Sequence, residues 1–412
     1  MDLGEGKRRG RALIAAYAAG SLGTGVLSTV PAVLLLYYCT QTLGLAPGLI
    51  GLALLLAKGW AIVWDPLVGL WADRTGRRRT FLLVGAVGAS ACFAALFQAP
   101  MAGAFVWVAG FYLALTCFNG LFAVPYVGMP ALMEADAGRR SRLVAARMVF
   151  SLSGVLAGAA LAPTLVAWFG GDRPGYGAMA LAMGGFCLLA MLLPLLGLGG
   201  IAASGGGGAA SLAGSLLQAW ASRRFRALAI AYLLQMAAAS GSTAALPYLA
   251  ARLSGQGEAA IGVAMGVMLG STVLATPIWA VVGRRVGEGR AALAGAGLYA
   301  LLLVLLGLAG LLGLGWGLML GLLSLCGVAF AALQVLPFTL LAGLTRAEGG
   351  SAVGVFTGVW TAVEKLGLAA GPMLLGLTLQ MAGEAQVTGA GLFMLLVPPV
   401  LLAGSMVFIR RC

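Results

Sequence analysis

The sequence contains no histidine, and charged residues make up only 9% of its 412 positions. Without histidine there can be no histidine proton relay, so carboxylates are the remaining proton carriers near neutral pH. The six cysteines lack the spacing of metal ligands, and neither a Walker loop nor a nucleophile elbow occurs. These absences argue against an enzyme and predict no catalytic residues, no resident cofactor and no metal site.

Hydrophobic residues, by contrast, make up 61% of the chain. A water-exposed surface cannot use such a composition, whereas a chain solvated by lipid needs it, so the sequence predicts an integral membrane protein. Its apolar runs reach the roughly 20 residues that a transmembrane helix requires, and they do not alternate as barrel strands do. An all-α membrane protein is therefore expected, with twelve crossings whose cores are 13–38, 49–72, 81–99, 103–130, 144–169, 178–198, 227–249, 259–282, 291–310, 315–342, 352–380 and 389–409.

The basic residues predict the orientation of these crossings, because Lys and Arg in short loops stay on the cytoplasmic side. If the N-terminus lies in the cytoplasm, Arg173 and Arg252 are the only basic residues predicted on the opposite side of the membrane. Lys58 and Lys365 fall within predicted spans. The net charge of +13 then reflects topology and implies no nucleic-acid partner. The first helix is expected to act as an uncleaved insertion signal. We therefore expect a multi-pass protein of the plasma (inner) membrane with both termini cytoplasmic.

The chain repeats itself at an offset of 211 residues, because "DPLVGLWADRTGRRR" from Asp65 aligns with "TPIWAVVGRRVGEGR" from Thr276. The repeat predicts an N-terminal six-helix bundle over 1–198 and a C-terminal one over 226–412. The Gly/Ala/Ser-rich stretch between them predicts a cytoplasmic linker over 199–225. Two six-helix halves of this kind are typical of secondary transporters, whose substrate lies near the midplane.

The loop after the second crossing combines an acid with a cluster of arginines. Its pattern, Gly69-x-x-x-Asp73-Arg74-x-Gly76-Arg77-Arg78-Arg79, resembles the loop between helices two and three of the major facilitator superfamily. Gly69 would permit close helix approach, and Asp73 would accept hydrogen bonds from the guanidinium groups. We predict a cytoplasmic gate, although each arginine taken singly could serve topology alone; its residues are Gly69, Asp73, Arg74, Gly76, Arg77, Arg78, Arg139, Arg142, Arg346 and Glu348.

Five further motifs, in order along the chain, resemble a narrower family. They are Asp65-Pro66, "VPYVGMPAL", "RSRLVAARMVFSLSG", "GGDRPGYG", and Arg346-x-Glu348-Gly349 followed by "AVEKLGLAAG". Together they resemble the glycoside-pentoside-hexuronide:cation symporters, the melibiose permease group. The resemblance implies a major facilitator fold and cation-coupled transport of glycosides.

The resemblance also implies roles for particular residues, and here the chain departs from the family in several places. Asp65 and Lys365 match family positions of the cation site, Arg147 matches an arginine that contacts sugar, and Lys58 stands where the family has a basic residue. Other acids of the family are missing, since their positions fall at Ala61, at Ala123, and at Ser21 or Gly25. A sodium ion bound by several carboxylates is therefore not expected, because a hard cation needs several oxygen ligands.

Charged residues well inside the spans predict the coupling mechanism. Each costs at least about 2.5 kcal/mol in a bilayer unless it is paired. Lys58 and Asp65 lie on the same face of one helix, and their positions are about 10 Å apart along its axis. We predict that Asp65 and Lys365 attract each other between the two bundles and that protonation of Asp65, or a bound cation, releases Lys365. Glu364 is either a second proton site or faces another helix.

Several polar and aromatic residues near the level of these charges are candidates for substrate binding. Alternatively, the aromatic rings could pack against lipid or the protein core, and the side-chain amides of Asn119 and Gln334 could form hydrogen bonds between helices. The predicted substrate-binding residues are Lys58, Arg147, Tyr126, Asn119, Gln334 and Trp360.

The sequence thus predicts a monomeric secondary transporter in the lipid bilayer that moves a small polar solute, such as a sugar or glycoside, by symport with H⁺ or else Na⁺. Two alternatives stay open. A cavity poor in polar groups would also suit a lysolipid or amphipathic-drug carrier, and loss of the family acids would suit a membrane-assembly or receptor-like protein that no longer transports.

Overall fold

The structure is a computed structural model that describes residues 2–133, 136–196, 222–255, 257–347 and 353–410. Within these ranges it contains twelve helices long and apolar enough to cross a membrane, which confirms the predicted all-helical architecture. In chain order, α1 to α12 are Asp2–Val30, Pro47–Thr75, Arg78–Leu96, Ala104–Met133, Ala137–Trp168, Asp172–Leu196, Arg223–Ser254, Glu258–Val286, Glu288–Leu312, Trp316–Ala347, Val353–Ala382 and Gln386–Ile409.

The first crossing changes its winding part-way along. After α1 ends at Val30, the chain continues through two π-helical segments, Pro31–Leu35 and Tyr38–Thr42. Pro31 lacks an amide hydrogen and its ring crowds the preceding turn, which disturbs the regular hydrogen bonding of the helix. The crossing therefore has an irregular second half.

The described residues fall into two compact units. Unit 1 comprises residues within Met1–Pro31 and Trp60–Gly208, and unit 2 comprises residues within Ala32–Gly59 and Ala209–Cys412. In unit 1, α1 packs against α5 and α6, and α3 packs against α4 and α6. In unit 2, α7 packs against α11 and α12, and α9 packs against α10 and α12. The two units thus share these four helix pairings.

Two pairs of prolines inside the helices follow the same repeat. Pro66 and Pro277 lie in the second helix of each half, 211 residues apart. Pro125 and Pro337 lie in α4 and α10, 212 residues apart. The interior of α3 and the interior of α9, which correspond to each other, contain no proline. Because an interior proline removes a backbone hydrogen bond, the repeat preserves two of the places where helices can bend.

Residues 32–59 belong to unit 2 even though they precede the middle of the chain. Gly51 lies so close to α11 that an added Cβ would sit 2.9 Å from the Cα of Met373, and a Cβ on Gly376 would sit 2.5 Å from the Pro47 carbonyl oxygen. The hydroxyl groups of Thr40 and Tyr248 are 2.6 Å apart. The predicted division at 198 and 226 therefore differs from the compact units at this segment, and most of the predicted linker lies outside the described residues.

Candidate functional site

Asp65 lies in the middle of α2, where its half-buried carboxylate faces α4. A Cβ on Gly120 of α4 would sit 2.7 Å from Asp65 Oδ1 and 3.0 Å from the Trp64 ring. The adjacent Trp64 indole donates a 2.9 Å hydrogen bond to the Cys117 carbonyl oxygen. The absence of a side chain at Gly120 thus makes room for the carboxylate against the α4 backbone, and the indole holds the two helices together at this level.

Unit 2 contains a related contact between its second and fourth helices, without the acid. The Trp279 indole of α8 donates a 2.7 Å hydrogen bond to the Val328 carbonyl oxygen of α10. Ser271 and Ser324 hydroxyl oxygens lie 3.0 Å apart between the same helices. Thr276 occupies the position that corresponds to Asp65 at an offset of 211 residues. Its hydroxyl donates a hydrogen bond to the Thr272 carbonyl oxygen of the same helix. The repeat therefore keeps the helix contact and places the carboxylate in unit 1.

Glu364 and Lys365 lie on different sides of α11. Gly367 and Gly371 pack on α7, and the Ser240 hydroxyl donates a 3.2 Å hydrogen bond to the Gly367 carbonyl oxygen. Glu364 shares this α7-facing side, since it lies three and seven residues before these glycines, and it interacts electrostatically with Tyr232 and Lys365. This arrangement corresponds to the expectation that Glu364 faces another helix.

Lys365 is turned about 100° from Glu364 around the helix. It lies seven residues before Pro372. A Cβ added to Gly51 of α2 would sit 3.2 Å from the Pro372 carbonyl oxygen and 2.9 Å from the Cα of Met373, so α2 and α11 are in close contact there. Since seven residues return nearly to the same helix face, Lys365 lies on the α2-facing side of α11. Its side chain is half-buried, as is that of Lys58, which lies on α2 seven residues after Gly51.

An aromatic group joins α7, α10 and α11 around these charges. The Tyr232 and Trp360 rings stack with centroids 4.1 Å apart, and Phe338 meets Trp360 edge to face at 5.9 Å. Both stacked rings are almost fully buried. Trp360 is a predicted substrate-binding residue, and one face of its ring is covered in this structure by the Tyr232 ring.

Three buried polar atoms in this region have no hydrogen-bond partner within the described residues: Tyr232 Oη, Gln235 Oε1 and Trp360 Nε1. An unmade buried hydrogen bond costs roughly 1–3 kcal/mol, so such atoms are places where a water molecule or a ligand group would be stabilised. Sequence reasoning missed Tyr232 and Gln235. The available indication was a lone glutamine in the apolar run "AYLLQMAAAS", the same feature that singled out Gln334.

The remaining predicted substrate residues are distributed over both units. Tyr126 is buried in α4, and Arg147 is half-buried in α5 beside it. Asn119 of α4 is half-buried, and its Oδ1 is buried without a partner in the described part of the chain. Gln334 is half-buried in α10. Unit 1 therefore brings Tyr126 and Arg147 together.

The predicted gate contains one ion pair that the structure describes. Arg78 donates a 2.8 Å hydrogen bond to Asp73 across the turn between α2 and α3, and the two side chains are 22% and 54% exposed. Gly76 adopts φ +63°, a left-handed conformation that ends α2 and allows the turn. Gly69 approaches Val124 of α4, where an added Cβ would meet the valine at 3.5 Å.

The other predicted gate residues are not joined to this pair by a described contact. Arg74, Arg77 and Arg142 are exposed. Glu348 lies outside the described residues, as do the side chains of Arg139 and Arg346. The gate is therefore described through Asp73 and Arg78, and its wider membership remains a prediction.

Comparison with known proteins identifies the family. The model of the family described as MFS/sugar transport protein matches residues 16–411, which is nearly the whole chain. The chain belongs to this family. It is a family of membrane transporters of the major facilitator type and not of enzymes.

Similar proteins agree with this assignment over parts of their sequences. The chain is 34% identical over 184 residues to the candidate glycoside/cation symporter YagG of Escherichia coli (strain K12), covering 42% of this chain and 40% of that one. It is 26% identical over 164 residues to the inner membrane symporter YicJ of the same organism, covering 38% and 36%. It is also 27% identical over 120 residues to sodium-dependent lysophosphatidylcholine symporter 1-A of Danio rerio, covering 27% and 23%.

The chain thus matches about two fifths or less of the length of these curated relatives. Among solved structures, nucleoside transporter NupG superimposes with a TM-score of 0.72 at 15% identity, covering 97% of this chain and 98% of that one. At this identity the likeness concerns the fold, and it confirms the predicted major facilitator fold. The resemblance to glycoside and cation symporters that the motifs predicted is confirmed as well.

Proposed function

We propose that this transporter couples the movement of a small polar solute, of the sugar or glycoside class, to the movement of protons by symport. The observation that carries the proposal is the half-buried Asp65 carboxylate in the middle of α2, seated against Gly120. Ionisable residues within membrane spans are functional by default, because they are costly to keep there. One carboxylate suffices for a proton, whereas sodium needs several oxygen ligands.

The residues of unit 2 have a complementary role in this proposal. Lys365 supplies the positive charge whose attraction to Asp65 the sequence predicts, and protonation of Asp65 removes that attraction. Glu364, which interacts electrostatically with Tyr232 and Lys365, is a second carboxylate on which a proton can reside. In the same proposal the protein acts as a monomer in the inner membrane with cytoplasmic termini, and Asp73 and Arg78 stabilise the closed cytoplasmic side.

The test uses the full chain reconstituted into sodium-free liposomes with an inward proton gradient. Labelled methyl glycosides should accumulate, and a lightly buffered external medium should become alkaline as they enter. Asp65→Asn should abolish accumulation against a gradient while leaving exchange of labelled for unlabelled solute. Asp172→Asn, at an exposed acid that begins α6, is the matched control and should accumulate normally.

Normal accumulation by Asp65→Asn would overturn the assignment of this residue. Accumulation that requires sodium and ignores the proton gradient would overturn proton coupling.

A second candidate function keeps the fold and changes the solute. The similarity to a lysophosphatidylcholine symporter favours an amphipathic lipid as the cargo. Labelled lysophosphatidylcholine is therefore run beside the glycosides in the same liposomes. Transfer of the lipid with no glycoside uptake would replace the glycoside by a lysolipid in the proposal.

A further inference from the structure

Glu364 lies in the middle of α11, far from both ends of the helix. The helix extends from Val353 to Ala382, so Glu364 is eleven residues, or about 16 Å, from its beginning. It belongs to the membrane-spanning part, Phe356–Ala382, and its side chain is half-buried. An ionised carboxylate at such a position is costly unless a positive charge and hydrogen-bond donors compensate it.

The helices on the α7-facing side of Glu364 supply no positive charge at its level. α7 and α10 carry basic residues only in their terminal turns, and α12 carries none. The adjacent Lys365 interacts electrostatically with Glu364 from the α2-facing side of α11, and Lys58 of α2 belongs to that side as well. In the proposed function Lys365 is attracted to Asp65. The α7-facing side of Glu364 is then left with a negative charge.

Three neighbouring aromatic rings fix the heights of α7, α10 and α11 relative to one another. The centroid of the Tyr232 ring lies 4.1 Å from that of Trp360 and 5.8 Å from that of Phe338. α11 runs in the same direction as α7, since Gly367 and Gly371 meet successive turns of α7. α10 is the crossing before α11 and runs in the opposite direction. A position one turn after the ring on α7 or α11 is therefore level with a position one turn before the ring on α10.

Each of the three helices carries a polar side chain at this second level. These are Gln235 on α7, Gln334 on α10 and Glu364 on α11, which together we call the polar layer. Gln235 is buried, and its Oε1 has no hydrogen-bond partner within the described residues. The buried Tyr232 hydroxyl, which interacts electrostatically with Glu364, also lacks such a partner there. Gln334 and Glu364 are half-buried, so a solute can reach the layer from their side.

A ligand of the polar layer needs more hydrogen-bond donors than acceptors. The ionised Glu364 carboxylate only accepts hydrogen bonds, and the unpartnered atom of Gln235 is an acceptor oxygen. An ammonium group carries three donors and no acceptor, and it supplies the positive charge that this side of Glu364 lacks. Its hydrogen bond to a carboxylate is roughly twice as strong as one between neutral groups. The neighbouring rings favour a cation as well, because the faces of aromatic rings are negative.

We propose that the transported solute carries a protonated amine and that Glu364 binds its ammonium group. This inference rests on the proposed function and specifies the substrate as an amino sugar or its glycoside. Gln235 and Tyr232 provide further acceptors beside the carboxylate, and Asp65 carries the coupled proton while the solute occupies Glu364. Glu364 is then the residue that selects an amine-bearing solute over its neutral counterpart.

The test compares matched solutes on the purified full chain at neutral pH, where the amines are largely protonated. Methyl 6-amino-6-deoxyglucoside and methyl 2-amino-2-deoxyglucoside each differ from methyl glucoside in one amine, and N-acetylation of either removes the charge. Binding is measured by calorimetry and by the shift in melting temperature. At least one amine should bind about tenfold to a hundredfold more tightly than methyl glucoside and than its own N-acetyl derivative, the range expected for charged hydrogen bonds.

Three variants assign the preference to Glu364. Glu364→Gln should abolish it while leaving the binding of methyl glucoside unchanged, because the amide keeps the shape of the side chain and loses its charge. Glu364→Asp keeps the charge on a shorter side chain and should retain part of the preference. Glu384→Gln, at an exposed acid just after α11, is the matched control and should keep the whole preference. If Glu364 only stabilised the fold, Glu364→Gln would lower the binding of amine and neutral solute together.

Equal binding of the amines and methyl glucoside, binding of neither amine, or an unchanged preference in Glu364→Gln would each overturn the inference. Proton-coupled accumulation of methyl glucoside in liposomes, together with equal binding of the amines, would overturn it while leaving the proposed function intact. A preference for an amine that depends on Glu364, without proton-coupled uptake of any solute, would do the reverse.

Discussion

The Asp65 carboxylate occupies the space that a side chain at Gly120 would need, 2.7 Å from the position of its Cβ. The glycine on α4 and the acid on α2 are therefore matched in size. A carboxylate held against a neighbouring backbone has a defined position, which a site that exchanges a proton requires.

Gly120→Ala should displace the Asp65 side chain and impair coupled transport. The methyl group would meet the movable carboxylate of Asp65 and the ring of Trp64, and no backbone atom is among its nearest neighbours. The helices therefore need not separate, and the protein should still fold. Misplacing a functional group by about 1 Å can cost on the order of a hundredfold in rate, and we expect loss of proton-driven uptake between about tenfold and a hundredfold. Uptake in liposomes measures the effect.

Gly128→Ala on the same helix is the matched control, because nothing lies within 4 Å of a Cβ at that position. It should transport normally. If Gly120→Ala transports as well as this control, the position of the carboxylate is not important for coupling.

Tyr232→Phe should leave the melting temperature unchanged or raise it. The variant removes a buried hydroxyl that makes no hydrogen bond of acceptable geometry in the described structure and has only its electrostatic interaction with Glu364 to lose, while the ring keeps its stacking on Trp360. Tyr248→Phe removes a hydroxyl that bonds Thr40 at 2.6 Å, and it should destabilise the protein by about 1 kcal/mol. Thermal unfolding in detergent without added solute compares the two. Equal destabilisation would show that Tyr232 has a partner, such as a bound water molecule.

Gly371→Ala should destabilise unit 2. Its methyl group would meet the backbone of Ala237 and Gly241 on α7, which cannot move aside as a flexible side chain can. Overpacking of this kind costs about 1–3 kcal/mol, and the melting temperature should fall accordingly. Gly358→Ala on the same helix, where a Cβ meets nothing within 4 Å, should melt like the parent chain. Similar melting of both variants would contradict the close packing of α7 on α11.

Asp73→Asn should lower transport with little effect on stability. The Asp73 side chain of the pair is 54% exposed, and ion pairs at an exposed surface contribute only about 0–1 kcal/mol. If Asp73 only stabilised the fold, Asp73→Asn would therefore leave both the melting temperature and the uptake rate near their original values. Uptake rate and melting temperature measured on the same preparation separate the two roles, and unchanged uptake would remove Asp73 from the gate.

Much of the architecture could be predicted because hydropathy and charge act locally along the chain. Lengths of apolar sequence determined that the protein spans a membrane twelve times, and the 211-residue repeat indicated two six-helix halves. The acid and arginines after α2 could be assigned to one turn because only a few residues separate Asp73 from Arg78. Asp65, Glu364 and Lys365 could be singled out because a charge inside an apolar run is conspicuous whatever the run packs against.

Which helix faces meet was decided only by the tertiary structure. The sequence left two roles for Glu364, and the packing of α11 on α7 directs it to Tyr232. The sequence did not indicate that residues 32–59 join unit 2 or that Gly120 makes room for Asp65. Nor did it indicate that Tyr232 and Gln235 carry polar atoms without a hydrogen-bond partner in the described part of the chain. In an apolar helix rich in glycine and alanine, several faces are equally able to pack. The choice among them depends on the crossing of helices far apart in the chain, which no local pattern of residues specifies.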